Sequence, residues 1–303
     1  MMFKLGRSIN QPINLPNSKE IELFIKREDE IHPVVSGNKY RKLKYNLLEA
    51  KKERFNTLLT FGGAFSNHIA AVASAGNLLG FKTIGVIRGE ELEHKILENE
   101  TLSFAKQNGM EFKFVSREAY RNKTSEAFLA KLKDTFNDFY LIPEGGTNAL
   151  AVKGCEEILT ETDEAFDYIC CAVGTGGTIS GLINCSKLSQ QVLGFPALKG
   201  DFLQQDISKF VTKTNWDLIT DYHFGGYAKI NDELVAFINE FKELNKIPLD
   251  PVYTGKMIFG IFDLINKGYF KKGSKVLAIH TGGLQGIKGM NRVLKNKNLP
   301  IIE

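Results

Sequence analysis

The chain has 303 residues, 43% hydrophobic and 24% charged, with a net charge of +4. That length admits two lobes or one large α/β body and excludes a single small module, and the composition excludes a disordered, collagen-like or disulfide-scaffold chain. Lys and Arg are mixed among Asp and Glu rather than gathered in a block, so nothing marks a nucleic-acid surface.

Met1 to Asn10 lack the apolar core of a signal peptide, and no apolar run reaches the ~18 residues of a membrane span, so a cytoplasmic location is expected. Lys39 stands in Ser36-Gly37-Asn38-Lys39-Tyr40-Arg41-Lys42-Leu43, just before an amphipathic helical pattern through Leu47 and Leu48. Locally it is one lysine among many, most of them solvated. Lys51-Lys52-Glu53-Arg54 and the lysines near Lys295 and Lys297 read as solvated helix ends.

Strand-length apolar runs follow at Thr57 to Phe61, Thr83 to Ile87, Phe112 to Val115, Phe139 to Ile142, Tyr168 to Val173 and Lys275 to Ile279, with helix-period stretches between them. Continuous rather than alternating hydrophobicity in Ile169 to Val173 and Val276 to Ile279 is the mark of parallel strands covered on both faces. The class is α/β. Two turn-rich segments, Pro143-Glu144-Gly145-Gly146-Thr147-Asn148 and Gly194-Phe195-Pro196, are the candidate passages between lobes, and only the first precedes a strong helical pattern. Cys155, Cys170, Cys171 and Cys185 show no paired metal spacing and read as reduced core thiols. The scattered His32, His68, His94, His223 and His280 form no helical metal pair, so no metal is expected.

Two junctions carry chemistry. Phe61-Gly62-Gly63-Ala64-Phe65-Ser66-Asn67-His68 joins a strand to a helix, with Ser66 or Asn67 as the cap. Capping alone accounts for such a residue, while the glycine pair adds exposed backbone donors for a carboxylate; His68 taken alone reads as structural. Val173-Gly174-Thr175-Gly176-Gly177-Thr178-Ile179-Ser180-Gly181 follows a buried strand and opens a helix, gathering backbone N–H groups and the Thr175 and Thr178 hydroxyls into a phosphate cradle. The alternative is an ordinary glycine-rich turn. A dinucleotide fingerprint needs a third glycine where Ile179 stands, and no Gly-Lys-Ser or Gly-Lys-Thr closes a P-loop, so a monophosphate cofactor fits better.

Taken together, Lys26-Arg27-Glu28-Asp29, Ser36-Gly37-Asn38-Lys39 with Arg41-Lys42-Leu43, Gly62-Gly63 with Ser66-Asn67-His68, Gly174 to Thr178, Gly226-Tyr227, Asp250-Pro251-Val252-Tyr253-Thr254-Gly255-Lys256 and His280-Thr281-Gly282-Gly283 resemble the aminocyclopropanecarboxylate deaminase and D-cysteine desulfhydrase family in order and spacing. The resemblance spans nearly the whole chain, which is somewhat shorter than the family and has little to align at 185–225. It implies a pyridoxal-5′-phosphate (PLP) enzyme of the tryptophan-synthase-β-like fold (fold type II), a homodimer of chains with two three-layer α/β lobes and the cofactor between them. The small lobe is expected at 53–145, inserted into a large lobe of 1–52 plus 146–303.

Carried over residue by residue, the resemblance makes Lys39 the Schiff-base lysine, Asn67 the neighbour of the cofactor's ring hydroxyl, and Gly174, Thr175, Gly176, Gly177 and Thr178 the phosphate loop. Ser66 faces the substrate carboxylate beside Asn67 and His68, and Tyr227 and Tyr253 match the two active-site tyrosines, which without the family read as buried aromatics with a bonded hydroxyl. Thr254 and Thr281 stand where deaminases carry Glu and Leu and desulfhydrase-like members carry small hydroxyl residues. Without a carboxylate the ring is a weaker electron sink, enough for a substrate with an acidic α-hydrogen and a good β-leaving group. The expected reaction is β-elimination on a small amino acid, D-cysteine to pyruvate, ammonia and sulfide. The alternatives are aminocyclopropanecarboxylate deamination, a lyase for D-serine or L-cysteate, and a catalytically idle PLP-binding protein.

Overall fold

The computed structural model describes residues 8–16, 19–35 and 37–303. Ser36 of the lysine motif, and residues 1–7 of the stretch read for a signal peptide, lie outside the described residues. The chain opens with β1 (Asn10–Pro12), β2 (Glu22–Lys26), α1 (Asn38–Lys52) and β3 (Thr57–Gly62). It continues through α2 (Asn67–Leu79), β4 (Lys82–Arg88), α3 (Glu100–Gln107), β5 (Met110–Val115), α4 (Arg117–Arg121), α5 (Glu126–Phe136) and β6 (Tyr140–Ile142). Then come α6 (Ala149–Cys155), β7 (Tyr168–Val173), α7 (Gly177–Cys185), β8 (Gln191–Pro196), α8 (Phe202–Ser208) and β9 (Trp216–Leu218). The chain closes with α9 (Asp232–Asn245), α10 (Thr254–Asn266), β10 (Lys275–Ile279) and α11 (Gly286–Asn296).

These strands form two sheets, one of order β1-β2-β10-β7-β8-β9 and one of order β5-β4-β3-β6. Every described pairing except β1 with β2 is parallel. The six apolar runs read from the sequence are all strands. Continuous hydrophobicity in β7 has the expected cause: Ile169, Cys171 and Val173 pack into the cluster under α7, while Cys170 and Ala172 pack into the opposite one with α9 and α10. The smaller sheet divides likewise, with Leu58 on the side of α1 and α2, and Leu59 and Phe61 on the side of α4 and α5. The solvated helix ends are borne out, since α1 stops at Lys52 and α11 at Asn296.

Gly194-Phe195-Pro196 is not a passage between lobes. These residues end β8 and pair with Cys171, Ala172 and Val173, because burial between two helical layers outweighs the turn preference of Gly and Pro. The other segment does connect the sheets: β6 ends at Ile142 and the chain passes through Glu144–Gly146 into α6. Among the described residues no helix is long and apolar enough to cross a membrane.

Helix α1 sits between the sheets. Its Leu43 and Leu47 pack with Leu58 of the small sheet, while its backbone lies against α6, where a Cβ on Gly154 would stand 1.9 Å from Arg41 O. Parallel topology puts the carboxyl ends of β3, β4, β6, β7 and β10 around one crevice, the usual place for ligands in such sheets. Residues that follow those strands line it together with Lys39 of α1 and Tyr227 and Tyr253.

Candidate functional site

A cavity of about 400 Å³ opens at that crevice. Its wall includes Lys39, Ser66, Asn67, His68, Gly174, Thr175, Gly176, Thr178, Tyr227, Tyr253 and Thr281, residues drawn from nearly the whole length of the chain. Gly177 and Thr254 stand just behind the wall, next in sequence to the lining residues Gly176 and Tyr253.

Lys39 is the second residue of α1. Gly37 precedes that helix with φ of 60°, and a Cβ there would stand 2.0 Å from Thr281 O, so only glycine lets the turn press against the loop after β10. The following turn is oriented by Arg41, whose guanidinium grips the buried Glu28 with bonds of 2.8 and 2.9 Å. Nearby, Lys26 pairs with Asp163 at 2.8 Å and Arg27 with Asp29 at 2.8 Å. The Lys-Arg-Glu-Asp motif is therefore spent on structural ion pairs, and its Glu28 anchors α1.

Lys39 Nζ donates to Asn38 Oδ1 at 3.1 Å, and Asn38 Nδ2 donates to Thr178 Oγ1 at 2.9 Å, a short path from the lysine to the cradle. Desolvation, and then repulsion from Lys42, lower the Lys39 pKa to about 7. A large fraction of it is thus a neutral amine near pH 7, the form that attacks a carbonyl or takes a proton.

The cradle itself follows β7. Gly176 caps α7 without a side-chain bond, leaving the first N–H groups of the helix available. A Cβ on Gly177 would lie 2.9 Å from Thr147 Oγ1 and 3.2 Å from Lys42 Nζ. The absent side chain keeps a space between an ammonium, hydroxyls and a positive helix end, a donor set that suits a phosphate dianion.

Lys42 is the residue to which sequence reasoning assigns no role. It is buried, with Nζ donating to Gly145 O at 3.0 Å, Thr147 Oγ1 at 3.0 Å and Thr175 Oγ1 at 3.3 Å. Desolvation lowers its pKa. The signal was its place three residues after Lys39 on one helix, which puts both on one face.

On the opposite wall, Ser66 is the N-cap of α2 and its Oγ accepts from Ile69 N at 3.4 Å. It caps and lines the cavity at once. Asn67 Oδ1 accepts from Gln285 Nε2 at 3.1 Å. His68 is buried against Thr60 Oγ1 at 2.8 Å, and desolvation followed by the nearby Lys39 and Lys42 holds its pKa well below the usual value, so it stays neutral.

Tyr253 precedes α10, where the buried Asp250 carboxylate accepts from the N–H groups of Val252, Tyr253 and Thr254 at 2.9, 2.8 and 2.8 Å. That cap fixes the tyrosine. Tyr227 meets it edge to face with centroids 6.2 Å apart. Burial pushes Tyr253 well above its ordinary pKa and raises Tyr227, so both are phenols, able to donate a proton and unsuited to be bases. Thr254 is fully buried, and its Oγ1 is one of few buried side-chain polar atoms without a hydrogen-bond partner among the described residues. His280 spends Nε2 on Pro248 O at 2.8 Å and accepts from Gly282 N at Nδ1, holding the loop that carries Thr281.

The profile of the family described as "Pyridoxal-phosphate dependent enzyme" matches residues 9–282. The chain is 34% identical, over 298 residues, to a Pyrococcus horikoshii protein named as a candidate 1-aminocyclopropane-1-carboxylate deaminase, covering 90% of this chain and 88% of that one. It is 33% identical to the mitochondrial bifunctional D-cysteine desulfhydrase/1-aminocyclopropane-1-carboxylate deaminase of Arabidopsis thaliana, over 90% of this chain and 74% of that one. A crystal structure of an ACC deaminase homologue superimposes with a TM-score of 0.82 at 29% identity, covering 96% of this chain and 94% of that one. A hydrogen sulfide-producing enzyme from Fusobacterium nucleatum, 17% identical, shares the fold with a TM-score of 0.65 over 93% of this chain and 97% of that one.

Proposed function

Because this chain belongs to the family of pyridoxal-phosphate dependent enzymes, we propose that its cavity carries out β-elimination on a small amino acid, with D-cysteine as substrate and pyruvate, ammonia and sulfide as products. The observation that carries the reading is the juxtaposition of Lys39, with its pKa lowered to about 7, and the Lys42-lined cradle at the head of α7. One group is suited to a carbonyl and the other to a phosphate.

In this reading Gly174, Thr175, Gly176, Gly177 and Thr178, with Lys42, would hold the phosphate, and Lys39 would hold the cofactor's carbonyl carbon. Asn67 would serve the ring hydroxyl, and Thr281 with the unpartnered hydroxyl of Thr254 would serve the ring nitrogen. Pyridoxal phosphate, when bound, supplies the electron sink that stabilises negative charge at the substrate α-carbon.

The remaining work belongs to the protein. Ser66, Asn67 and the free N–H groups at the head of α2 bind the substrate carboxylate, with His68 kept neutral behind them. Lys39 Nζ, as a neutral amine, takes the α-proton, since neither tyrosine is acidic enough to be a phenolate. Tyr253 Oη, with Tyr227 beside it, donates a proton to the departing sulfur as the Cβ–S bond breaks.

Substrate choice rests on charge. Neither Thr254 nor Thr281 supplies a carboxylate, and the cavity acids are engaged elsewhere: Glu144 with Lys123 at 3.1 Å and Asp206 with Lys209 at 2.6 Å. That supports a substrate with its own acidic α-hydrogen and leaving group over the unactivated ring of aminocyclopropanecarboxylate, the substrate in the names of two relatives.

The lobes are read as 53–145 and 1–52 plus 146–303, supported by the placement of all four strands of the smaller sheet between Thr57 and Ile142. The assembly is read as a homodimer, which light scattering tests as a mass twice the 33.9 kDa of one chain. The function is tested by giving the PLP-loaded protein D-cysteine, L-cysteine, D-serine, L-cysteate and aminocyclopropanecarboxylate, with pyruvate and sulfide as readouts. Turnover of D-cysteine and none of aminocyclopropanecarboxylate is expected, and the reverse preference would refute the reading of Thr254 and Thr281.

A further inference from the structure

Tyr227 reaches the cavity on a turn built against backbone preference. Phe224, Gly225, Gly226 and Ala228 have φ of 53°, 89°, 116° and 55°. Glycine adopts such values freely, but Phe224 and Ala228 carry a Cβ, so the turn persists only if its surroundings hold it. Its own bonds are few: Gly226 N to His223 O at 3.0 Å, Lys229 N to Gly226 O at 3.2 Å and Gly225 N to His223 Nδ1 at 2.9 Å.

The tether comes from outside. Lys256, in the first turn of α10, is buried, and its Nζ donates to His223 O at 2.9 Å and to Gly226 O at 2.8 Å. Among the described residues it has no carboxylate within salt-bridge distance, and the acid that acts on it is Asp250, through space. Burying an ammonium against neutral carbonyls is expensive, and a methionine would fill the same space without that cost. Desolvation lowers its pKa to about 8, which leaves it charged at pH 7. Both bonds are therefore charge-assisted and fall on the two carbonyls that bracket the strained part of the turn.

We propose that Lys256 is a positioning residue for the reaction: by clamping the carbonyls of His223 and Gly226 it holds the turn 223–228 so that the Tyr227 hydroxyl stays over Tyr253 in the cavity. The clamp joins the helix that begins beside Tyr253 to the turn that carries Tyr227, so the two phenols move as one unit. This rests on the reading of Tyr227 as a group that acts on the substrate.

A double-mutant cycle in the PLP-loaded enzyme tests it, with wild type, Lys256→Met, Tyr227→Phe and the double variant assayed for pyruvate on the best substrate of the panel. Loss of two charge-assisted bonds should lower kcat about 10- to 100-fold in Lys256→Met, with a smaller change in KM. In the Tyr227→Phe background the same substitution should change kcat by less than about 2-fold, because the group it positions is already gone. Lys256→Arg, which also donates to both carbonyls, should restore most of the rate. Should Lys256→Met fail to fold, Lys256→Gln, a neutral donor, takes its place in the cycle. If Tyr227→Phe is impaired and the two losses simply multiply, Lys256 does not act through Tyr227 and the inference is overturned. If Tyr227→Phe matches wild type, the functional reading of Tyr227 fails first and the clamp loses its purpose.

Discussion

Lys42→Met should weaken cofactor binding far more than it disturbs the fold. The ammonium is buried with three neutral oxygen partners and no anion among its hydrogen bonds. In the protein without cofactor, methionine removes a desolvated charge but leaves those oxygens short of a donor. The hydroxyls of Thr147 and Thr175 already pair at 2.6 Å, so the loss falls mainly on Gly145 O. The gain and the loss are each about 1–3 kcal/mol and oppose one another, so the unfolding midpoint should move by only a few degrees. Once a phosphate dianion fills the cradle, the substitution deletes a charged contact of about 1.5–3 kcal/mol, which is roughly 10- to 150-fold in Kd. The assay is titration of the apoenzyme with pyridoxal phosphate by absorbance, run in parallel with pyridoxal, which has no phosphate. A variant whose Kd for pyridoxal phosphate stays within about 2-fold of wild type would refute the argument. Equal weakening toward both compounds would show that Lys42 does not serve the phosphate.

Lys39→Ala should abolish turnover and the absorbance, near the visible edge, of the lysine-bound cofactor; retention of that band would sink the assignment. The lowered pKa of Lys39, about 7 against an ordinary 10.5, also has a stability consequence. The unfolded chain binds the extra proton between those values, so the apoenzyme should gain stability as pH rises through that window, with the full penalty present below it. Lys39→Met should flatten this dependence and unfold at higher temperature than wild type at pH 6, as read by thermal denaturation. Tyr253→Phe should fold normally and lose about 10- to 100-fold in kcat, since it removes a proton donor without changing shape; an unchanged rate would exclude the hydroxyl from catalysis. Gly37→Ala should cost about 3 kcal/mol or more in urea unfolding and impair PLP incorporation, because its Cβ would meet Thr281 O at 2.0 Å.

The strands that the sequence reveals are those where burial writes a continuous apolar run, as in β7 and β10. The short edge strands β1 and β9, three residues each, carry no such run, and β8 hides behind Gly194 and Pro196, whose turn preference is a local property that tertiary burial overrides. The site divides in the same way. Glycine-rich junctions at Gly62 and Gly174 are visible because close packing there demands glycine itself: a Cβ would meet Ile69 at 2.5 Å and the Tyr253 ring at 3.2 Å. The roles proposed for Lys39 and the tyrosines come only from the family resemblance that the distant motifs carry together. Lys42 and Lys256 were invisible as functional groups, since a buried lysine is written with the same letter as a solvated one. What distinguishes them is the carbonyls and hydroxyls brought to Nζ by β6, α7 and the turn after β9, which no local pattern records.

The charge of the cavity completes the argument about the reaction. Lys39, Lys42 and Arg88 line it, and Arg88 lies over the Tyr120 ring at 5.8 Å without a carboxylate partner among the described residues. The acids are held away: Glu144 by Lys123 and Tyr120, Asp206 by Lys209, and Asp250 by three backbone N–H groups. A cavity so biased favours a ligand that brings negative charge, namely a phosphate and an amino-acid carboxylate, and offers no spare carboxylate to keep a ring nitrogen protonated. In the proposed reaction, proton removal at the α-carbon falls to the amine of Lys39, and departure of the β-substituent to the phenols of Tyr253 and Tyr227. An enzyme arranged in this way gains rate from the acidity of its substrate's own α-hydrogen and the stability of its leaving group, which is the demand that D-cysteine meets and an unstrained, unsubstituted amino acid does not.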